Sequence, residues 1–186
     1  LQTYHVGTSQ ITKEAAVATD NTRAGHDATK EPDNPLWIYA LKQYKQGACA
    51  PFLLLAQDQL DLDVNILLFM GWLASEQLTF NLQLVTASSA YGWQQEVVKT
   101  LRKIRRQAQG SCSDDVYQQL LKVELDAEKQ QLQGLYELKS DMQKNEEGFA
   151  QNVRLACEEY FKEKGKTVEE SWLQTLIQHL QPNKLD

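Results

Sequence analysis

The sequence predicts an all-α protein: an orthogonal or irregular bundle of about seven to eight helices packed around one buried central helix. Three observations lead to this fold class. Apolar residues recur at helical spacing, no stretch alternates apolar and polar residues as a half-buried strand does, and capping residues separate the periodic segments. The length of 186 residues is typical of a single domain.

The first 34 residues differ in composition from the rest of the chain. They contain one aromatic residue, Tyr4, and consist mainly of Thr, Ala, Asp, Asn, Lys and Glu. A segment of this kind cannot bury enough apolar surface to offset the entropy that it would lose on ordering. We therefore expect a disordered, flexible tail over residues 1–34 and a single α-helical domain over residues 35–181.

Capping and helix-breaking residues divide the expected domain into successive helices. Asp33 or Asn34 can cap a helix that begins at Pro35, because proline has no N–H to leave unpaired there. The Thr-Val-Glu-Glu sequence at 167–170 is a capping box that begins the last helix, and Pro182 ends it. The chain is thus expected to form helices at about 35–46, 51–60, 64–75, 77–90, 97–108, 114–142, 146–161 and 168–180.

The segment 64–75 is apolar on every side, whereas a surface helix keeps one polar face. We therefore predict that it is the buried central helix. Asp63 precedes it as an N-cap, and Leu62 can pack against Leu67 as a hydrophobic staple. The side chain of Trp72 is expected in the core, where its truncation to alanine would cost ~3–5 kcal/mol.

The residues around this cap do not fit a metal site. Asp61, Asp63 and Asn65 stand where a calcium-binding loop begins, but such a loop requires Gly at its sixth position and Glu at its twelfth. Those positions hold Ile66 and Trp72. The sequence therefore predicts no metal ion and no cofactor.

The helix predicted after Gly92 has two very different sides. At 100° per residue its apolar residues cluster on one side and most of its basic residues lie on the other. We expect the apolar side to face the core and the basic side to face solvent. The apolar residues are Val97, Leu101, Ile104 and Ala108, and the basic residues are Lys99, Arg102, Lys103 and Arg106.

The basic side has two interpretations. Its charges could bind the phosphates of RNA, free or in a ribosome, or the carboxylates of an acidic partner. No aromatic residue is interleaved for stacking on bases, so a solvated side neutralised by nearby acids is the favoured interpretation. The net charge of -6 excludes a chain whose whole surface is basic.

Glu124 and Glu128 stand one helical turn apart between two apolar stripes of a long helix, so both carboxylates are expected to point inward. Two buried carboxylates could bind a metal ion or transfer a proton. The favoured alternative is that they pair with Arg102, Arg105 or Arg106 of the preceding helix. The buried polar network that we predict comprises Arg105, Glu124, Glu128, Asp58 and Asp63.

Covalent catalysis has little support in the sequence. Two of the three histidines lie in the expected tail, which leaves only His179 to activate a nucleophile. The cysteines are an odd number without C-x-x-C spacing, so free thiols are expected at Cys49, Cys112 and Cys157. Tryptophans of amphipathic helices lie more often in the core than in a ligand groove. We therefore favour core positions for the four tryptophans, which are Trp37, Trp72, Trp93 and Trp172.

The apolar run at 66–74 is much shorter than the ~20 residues that span a bilayer, and no secretory signal is visible. We therefore expect a cytoplasmic protein with no membrane partner.

Several stretches resemble a family of small bacterial proteins of unknown function. These stretches are PLWIYALKQY at 35–44, LLLAQDQLDLDVNILLFMGWLA at 53–74, L-R-x-x-R-R at 101–106 and E-L-x-A-E at 124–128. The segment D-V-N-x-L-L-F is the most specific of them, and Ala56 stands where the family has Leu. The resemblance covers about residues 35–160 and implies a helical cytoplasmic domain, but it implies no activity.

These observations favour a non-enzymatic helical interaction or regulatory module that binds an unidentified protein partner. The partner would dock on the basic helix or on a tryptophan-lined groove. The first alternative is binding to RNA or a ribosome through residues 99–106. The second is a carboxylate-based metal or enzyme site at Glu124 and Glu128.

Overall fold

The computed structural model describes residues 34–182 and confirms the all-α class. Its described part contains no strand beyond one isolated antiparallel bridge between Leu78 and Lys144. The predicted tail lies outside the described residues, apart from Asn34. The side chain of Asn34 accepts a hydrogen bond from the backbone N–H of Trp37 at 2.8 Å and so caps the first helix.

The helices follow one another with short connections. They are α1 (Pro35–Tyr44), α2 (Cys49–Leu60), α3 (Val64–Ser75), α4 (Leu82–Ala87), α5 (Ser89–Trp93), a π-helical turn (Gln94–Val98), α6 (Lys99–Ala108), α7 (Asp114–Glu137), a 3₁₀ turn (Leu138–Asp141), α8 (Phe149–Glu163) and α9 (Glu170–Leu180).

The central helix is α3, as the sequence predicts. Its residues from Val64 to Ala74 are all buried, and the helix contacts α1, α2, α7, α8 and α9. The packing is tight at Gly71, where an added Cβ would lie 2.9 Å from the Cβ of Leu180. A glycine at this position therefore lets α9 approach the central helix.

The segment between α3 and α4 departs from the prediction of one helix over 77–90. Gln77 has a left-handed φ of 56°, and helix α4 begins only at Leu82. Between them, the backbone N–H of Thr79 donates to the carbonyl of Gln143 at 2.8 Å. Pairing with a loop that is remote in sequence thus replaces helical hydrogen bonds in this segment.

Gly92 also does not break a helix, although the sequence suggests a boundary there. The chain is helical without interruption from Ser89 to Ala108, through α5, the π-helical turn and α6. The break lies at Ser88, whose extended backbone ends α4 and whose hydroxyl accepts from the N–H of Tyr91 at 3.2 Å. Ser88 is therefore an N-cap, as is Asp63 for the central helix.

Candidate functional site

Helices α6 and α7 pack side by side and are joined by the short loop 109–113. Their cross-contacts run in opposite order, because Arg102 contacts Glu128 whereas Arg105 contacts Glu124. The two helices are therefore antiparallel. Residues three or four apart on each helix share a face, so two arginines of α6 meet two glutamates of α7.

The four side chains form a buried unit that we name the arginine–glutamate cluster: Arg102, Arg105, Glu124 and Glu128. Arg102 donates from Nη2 to Glu128 Oε1 at 2.6 Å and from Nε to Glu124 Oε1 at 3.3 Å. Arg105 donates from Nε and Nη2 to the two oxygens of Glu124. Glu124 is 6% exposed, Glu128 7% and Arg105 8%. Both carboxylates are thus covered by guanidinium groups and held away from solvent.

A second set of polar side chains ties α7 to the start of the central helix. Gln131 donates from Nε2 to Asp63 Oδ2 at 2.6 Å and accepts from Asn65 Nδ2 at 2.8 Å. The other Asp63 oxygen accepts from the N–H of Asn65, and the N–H of Asp63 donates to the hydroxyl of Tyr160. The residue pattern did not assign Gln131 or Asn65 to a buried polar network. Gln131 stands seven residues after Glu124 on the same helical face, and Asn65 is a polar residue near the start of the mainly apolar helix α3.

The buried carboxylates outnumber the arginines that face them. Asp63, Glu124 and Glu128 carry three negative charges, and Arg102 and Arg105 carry two positive charges. Burial raises the pKa of Glu128 above its usual value, because desolvation outweighs the attraction of Arg102. Burial also raises the pKa of Asp63, against its hydrogen bond from Gln131 and the charge of Arg102. The folded protein therefore holds protons here more firmly than the unfolded chain does.

Asp58 is not part of this buried network, which corrects the sequence prediction. Its side chain is 45% exposed and contacts Arg106, which is 48% exposed. Helix α2 turns the opposite side, with Leu53 and Ala56, toward the core. Asp58 therefore neutralises a surface arginine.

The four basic residues proposed to bind RNA do not form one open surface. Arg102 points inward to the glutamates, and Arg106 contacts Asp58. Lys99 lies 3.8 Å from a carboxylate oxygen of Asp61. Lys103 is exposed and makes no ion pair with the described residues. Carboxylates of the same chain thus neutralise most of the positive charge on this helix.

The prediction that the apolar side of α6 faces the core is wrong. Ile104 is 43% exposed, whereas the neighbouring Arg105 is 8% exposed. The helical-wheel argument treats charged residues as outward-facing, but the two glutamates of α7 bind the arginines of α6 and hold that side inward. The rotation of α6 about its axis therefore turns apolar residues toward solvent.

The exposed apolar residues of α6 continue onto α7 and onto the end of α5. Val116 is 46% exposed, Val123 48% and Trp93 39%. A groove of about 620 Å³ runs between the helices, and its apolar walls include Trp93, Val97, Leu101, Val123 and Ala127. We name the whole surface the α6–α7 apolar face: Trp93, Val97, Leu101, Ile104, Val116, Leu120, Val123 and Ala127.

Trp93 fixes one wall of this groove. Its indole Nε1 donates to the carbonyl of Ala127 at 2.9 Å, which joins α5 to α7 across the groove. Close approach of the same two helices depends on Gly134, where an added Cβ would lie 2.9 Å from the Cβ of Ala90. The groove is therefore a fixed feature of the helix packing.

Residues 35–135 match a protein family described as a protein of unknown function, DUF2390. The chain belongs to the DUF2390 family. The matched part of the DUF2390 chain contains the whole arginine–glutamate cluster and the whole α6–α7 apolar face. No curated protein and no solved structure matches the chain. Within residues 34–182, no helix is both long enough and apolar enough to cross a membrane.

The four tryptophans of this DUF2390 protein do not line one common groove. Trp37 is 4% exposed and Trp72 is 3% exposed, so both belong to the core. Trp93 lines the groove between α5, α6 and α7. Trp172 lies elsewhere, with its ring centroid 5.3 Å from that of Phe52.

Within residues 34–182, two of the three cysteine thiols are buried and the one histidine is half-buried. All three cysteines are free, and burial raises the pKa of the Cys49 thiol and of the Cys157 thiol to about 12. Burial lowers the pKa of His179, whose ring lies 5.0 Å from that of Phe52. Between residues 34 and 182, no group of three His, Cys, Asp or Glu side chains is arranged to hold a metal ion.

Proposed function

We propose that this DUF2390 protein is a non-enzymatic interaction module and that a protein partner docks on the α6–α7 apolar face. The orientation of α6 is the observation that carries the proposal. This helix exposes Ile104 and buries Arg105, which reverses the usual placement of the two residue types.

Side chains on both sides of α6 contribute to its orientation. Burying one large aliphatic side chain is worth about 1.5–3 kcal/mol, so a helix free to rotate would place Ile104 inward. Instead the side chains of Arg102 and Arg105 are 13% and 10% exposed, and their glutamates hold the helix in this rotation. Apolar patches that a fold holds in solvent often mark surfaces where another protein binds.

The ion pairs of the basic helix favour this proposal over RNA binding. A protein that binds phosphates needs lysines and arginines free to replace counterions. Here Lys99, Arg102 and Arg106 each contact a carboxylate of the chain. An RNA backbone would have to displace those acids before it gained the charges.

The burial of the two glutamates favours the proposal over a carboxylate enzyme. A general acid or base must reach the proton that it transfers. Glu124 and Glu128 are at most 7% exposed, and their oxygens already accept hydrogen bonds from arginines. This arrangement, and the raised pKa of Glu128, fit a structural ion-pair network, which also perturbs carboxylates.

We also propose a cytoplasmic location for the module. Its three free cysteines, two of them buried, suit a compartment in which thiols stay reduced. The test is the thiol content of the protein isolated from its native cells under alkylating conditions. Recovery of all three thiols as alkylated cysteines supports the proposal, and recovery of a disulfide contradicts it.

The test of the docking surface is photo-crosslinking in cells of the source organism. A photoreactive amino acid replaces Ile104 in the full chain, and a second variant carries it at Leu155. Leu155 is a matched control, because it is 44% exposed and lies on α8. We expect a discrete protein adduct from position 104 and none from position 155. Equal adducts from both positions, or none from either, would overturn the proposal.

A further inference from the structure

We propose that the occupant of the α6–α7 apolar face is a second copy of this chain, bound so that the two α6 helices cross antiparallel about a twofold axis near Thr100. This inference rests on the proposed function, since it names the partner of that face. Charged residues at the edge of the face favour a second copy as the partner, and they favour an antiparallel arrangement of the two helices.

Glu96 and Lys103 are two charges at the edge of the face. Both are exposed, and neither forms an ion pair with another side chain in residues 34–182. They stand seven residues apart on the continuous helix that runs from the π-helical turn into α6, so they lie about two turns apart on the same edge. Ile104 and Thr100 stand between this edge and the groove.

A twofold axis near Thr100 pairs these charges with their opposites. In an antiparallel pair, the midpoint of 96 and 103 falls between Lys99 and Thr100, so Glu96 of one copy meets Lys103 of the other. The symmetry forms the same ion pair twice. A parallel pair would instead set Glu96 against Glu96 and Lys103 against Lys103. Charge complementarity therefore favours the antiparallel arrangement.

Most neighbouring residues of the surface are uncharged. Thr100, Gln107, Gln119 and Gln130 are exposed on α6 and α7 beside the apolar residues, and the charged residues that line the groove are Asp126 and Glu137. In a symmetric interface each apolar side chain is used twice. The four that are most exposed, Trp93, Ile104, Val116 and Val123, thus contribute eight side chains to one dimer.

The test measures self-association of the full chain by sedimentation equilibrium from about 1 to 100 µM, a range that detects dissociation constants of that order. We expect the parent protein to form a dimer. Lys103→Glu should weaken the dimer at least ~10-fold, because it places two like charges at each end of the helix pair. Glu96→Lys should weaken it similarly, and Glu96→Lys combined with Lys103→Glu should restore the parent dissociation constant to within about 3-fold.

A second set of variants tests the apolar contact. Ile104→Glu and Val123→Glu should be monomeric over the same range, whereas the matched surface variant Leu155→Glu should dimerise like the parent. Circular dichroism and thermal melting establish that each variant is folded. These positions are exposed, so the substitutions leave the core intact.

Several outcomes would overturn the inference. A parent chain that stays monomeric rejects a second copy as the occupant, as does a dimer that Ile104→Glu leaves unchanged. Failure of the double charge variant to recover rejects the antiparallel arrangement. If crosslinks from position 104 reach another protein species, the proposed function stands and only this inference fails. Crosslinks within the same chain, to residues 1–33, would assign the face to that segment and overturn both.

Discussion

Arg102 is the side chain that links the two glutamates of the arginine–glutamate cluster. It contacts both glutamates of α7, and it is the cation that contacts Glu128. A helical wheel places Arg102 among the outward-facing charges because it contains no information about the next helix, although the sequence also predicts that Arg102, Arg105 or Arg106 pairs with the two glutamates. The same pattern places both carboxylates inward. Burying a carboxylate costs free energy unless a cation pairs with it, so Arg102 turns inward.

Arg102→Met leaves Glu128 buried without a cation, so we expect it to lower the free energy of unfolding by about 3–5 kcal/mol. The measurement is equilibrium unfolding in urea. Arg106→Met is the matched control on the same helix, because its pair with Asp58 is half-exposed and should contribute less than about 1 kcal/mol.

The double variant Arg102→Met with Glu128→Leu should regain most of the lost stability, because it removes both charges together. Equal losses for Arg102→Met and Arg106→Met would show that the cluster is solvated and does not set the rotation of α6.

The raised pKa values of Glu128 and Asp63 give the stability a definite pH dependence. A carboxyl group whose pKa is higher in the folded state stabilises the fold fully below its unfolded pKa, about 4 for these residues, and loses that contribution as pH rises through the folded pKa. The contribution of these two groups to the free energy of unfolding should therefore increase as pH falls from neutral toward about 4.

Urea unfolding at several pH values measures this slope, and Glu128→Gln should reduce it. Glu170 has the opposite sign, because hydrogen bonds from Arg154 lower its pKa to about 2. Its contribution is lost only as pH falls from about 4 toward that value, well below the window of the experiment. A stability that falls steadily from neutral pH to about 5 would contradict the assignment.

At the scale of elements, local signals predicted the helices well, and remote contacts explain the errors. Caps at Asn34 and Asp63 and the apolar run of α3 act within a few residues, so the sequence contains the whole signal. The extended segment before α4 depends on hydrogen bonds to residues near 143, which no periodicity reports. The side of α6 that faces solvent depends on contacts with α7. The residue pattern within one helix contains no signal for such contacts.

The packing of α3 gives a prediction of its own. Gly71→Ala places a methyl group against Tyr39 and Leu180, so we expect a loss of about 1–3 kcal/mol from overpacking. Gly92→Ala is the matched control in α5, where nothing lies within 4 Å of the added Cβ and a helical alanine should gain about 0.5–1 kcal/mol. Thermal melting measures both changes. A Gly71→Ala protein as stable as the parent would show that α9 does not pack tightly on α3.

At the scale of the whole molecule, different interactions form the core and the α6–α7 apolar face. The core forms around α3, and α8 and α9 pack on it although they lie beyond the matched DUF2390 residues. The α6–α7 apolar face lies within those residues and takes no part in that core. The sequence predicted the core from apolar content alone. It could not predict the face, because the face exists only when the buried ion pairs orient two helices together.

The stability of Ile104→Glu, measured by urea unfolding at a concentration where the parent chain is monomeric, tests the orientation of α6. If Ile104 faces solvent, the free energy of unfolding should stay within about 0.5 kcal/mol of the parent value, as for other surface substitutions. If Ile104 instead packs in the core, the buried charge would cost several kcal/mol and leave the chain largely unfolded, which would contradict the orientation of α6 and the docking surface built on it.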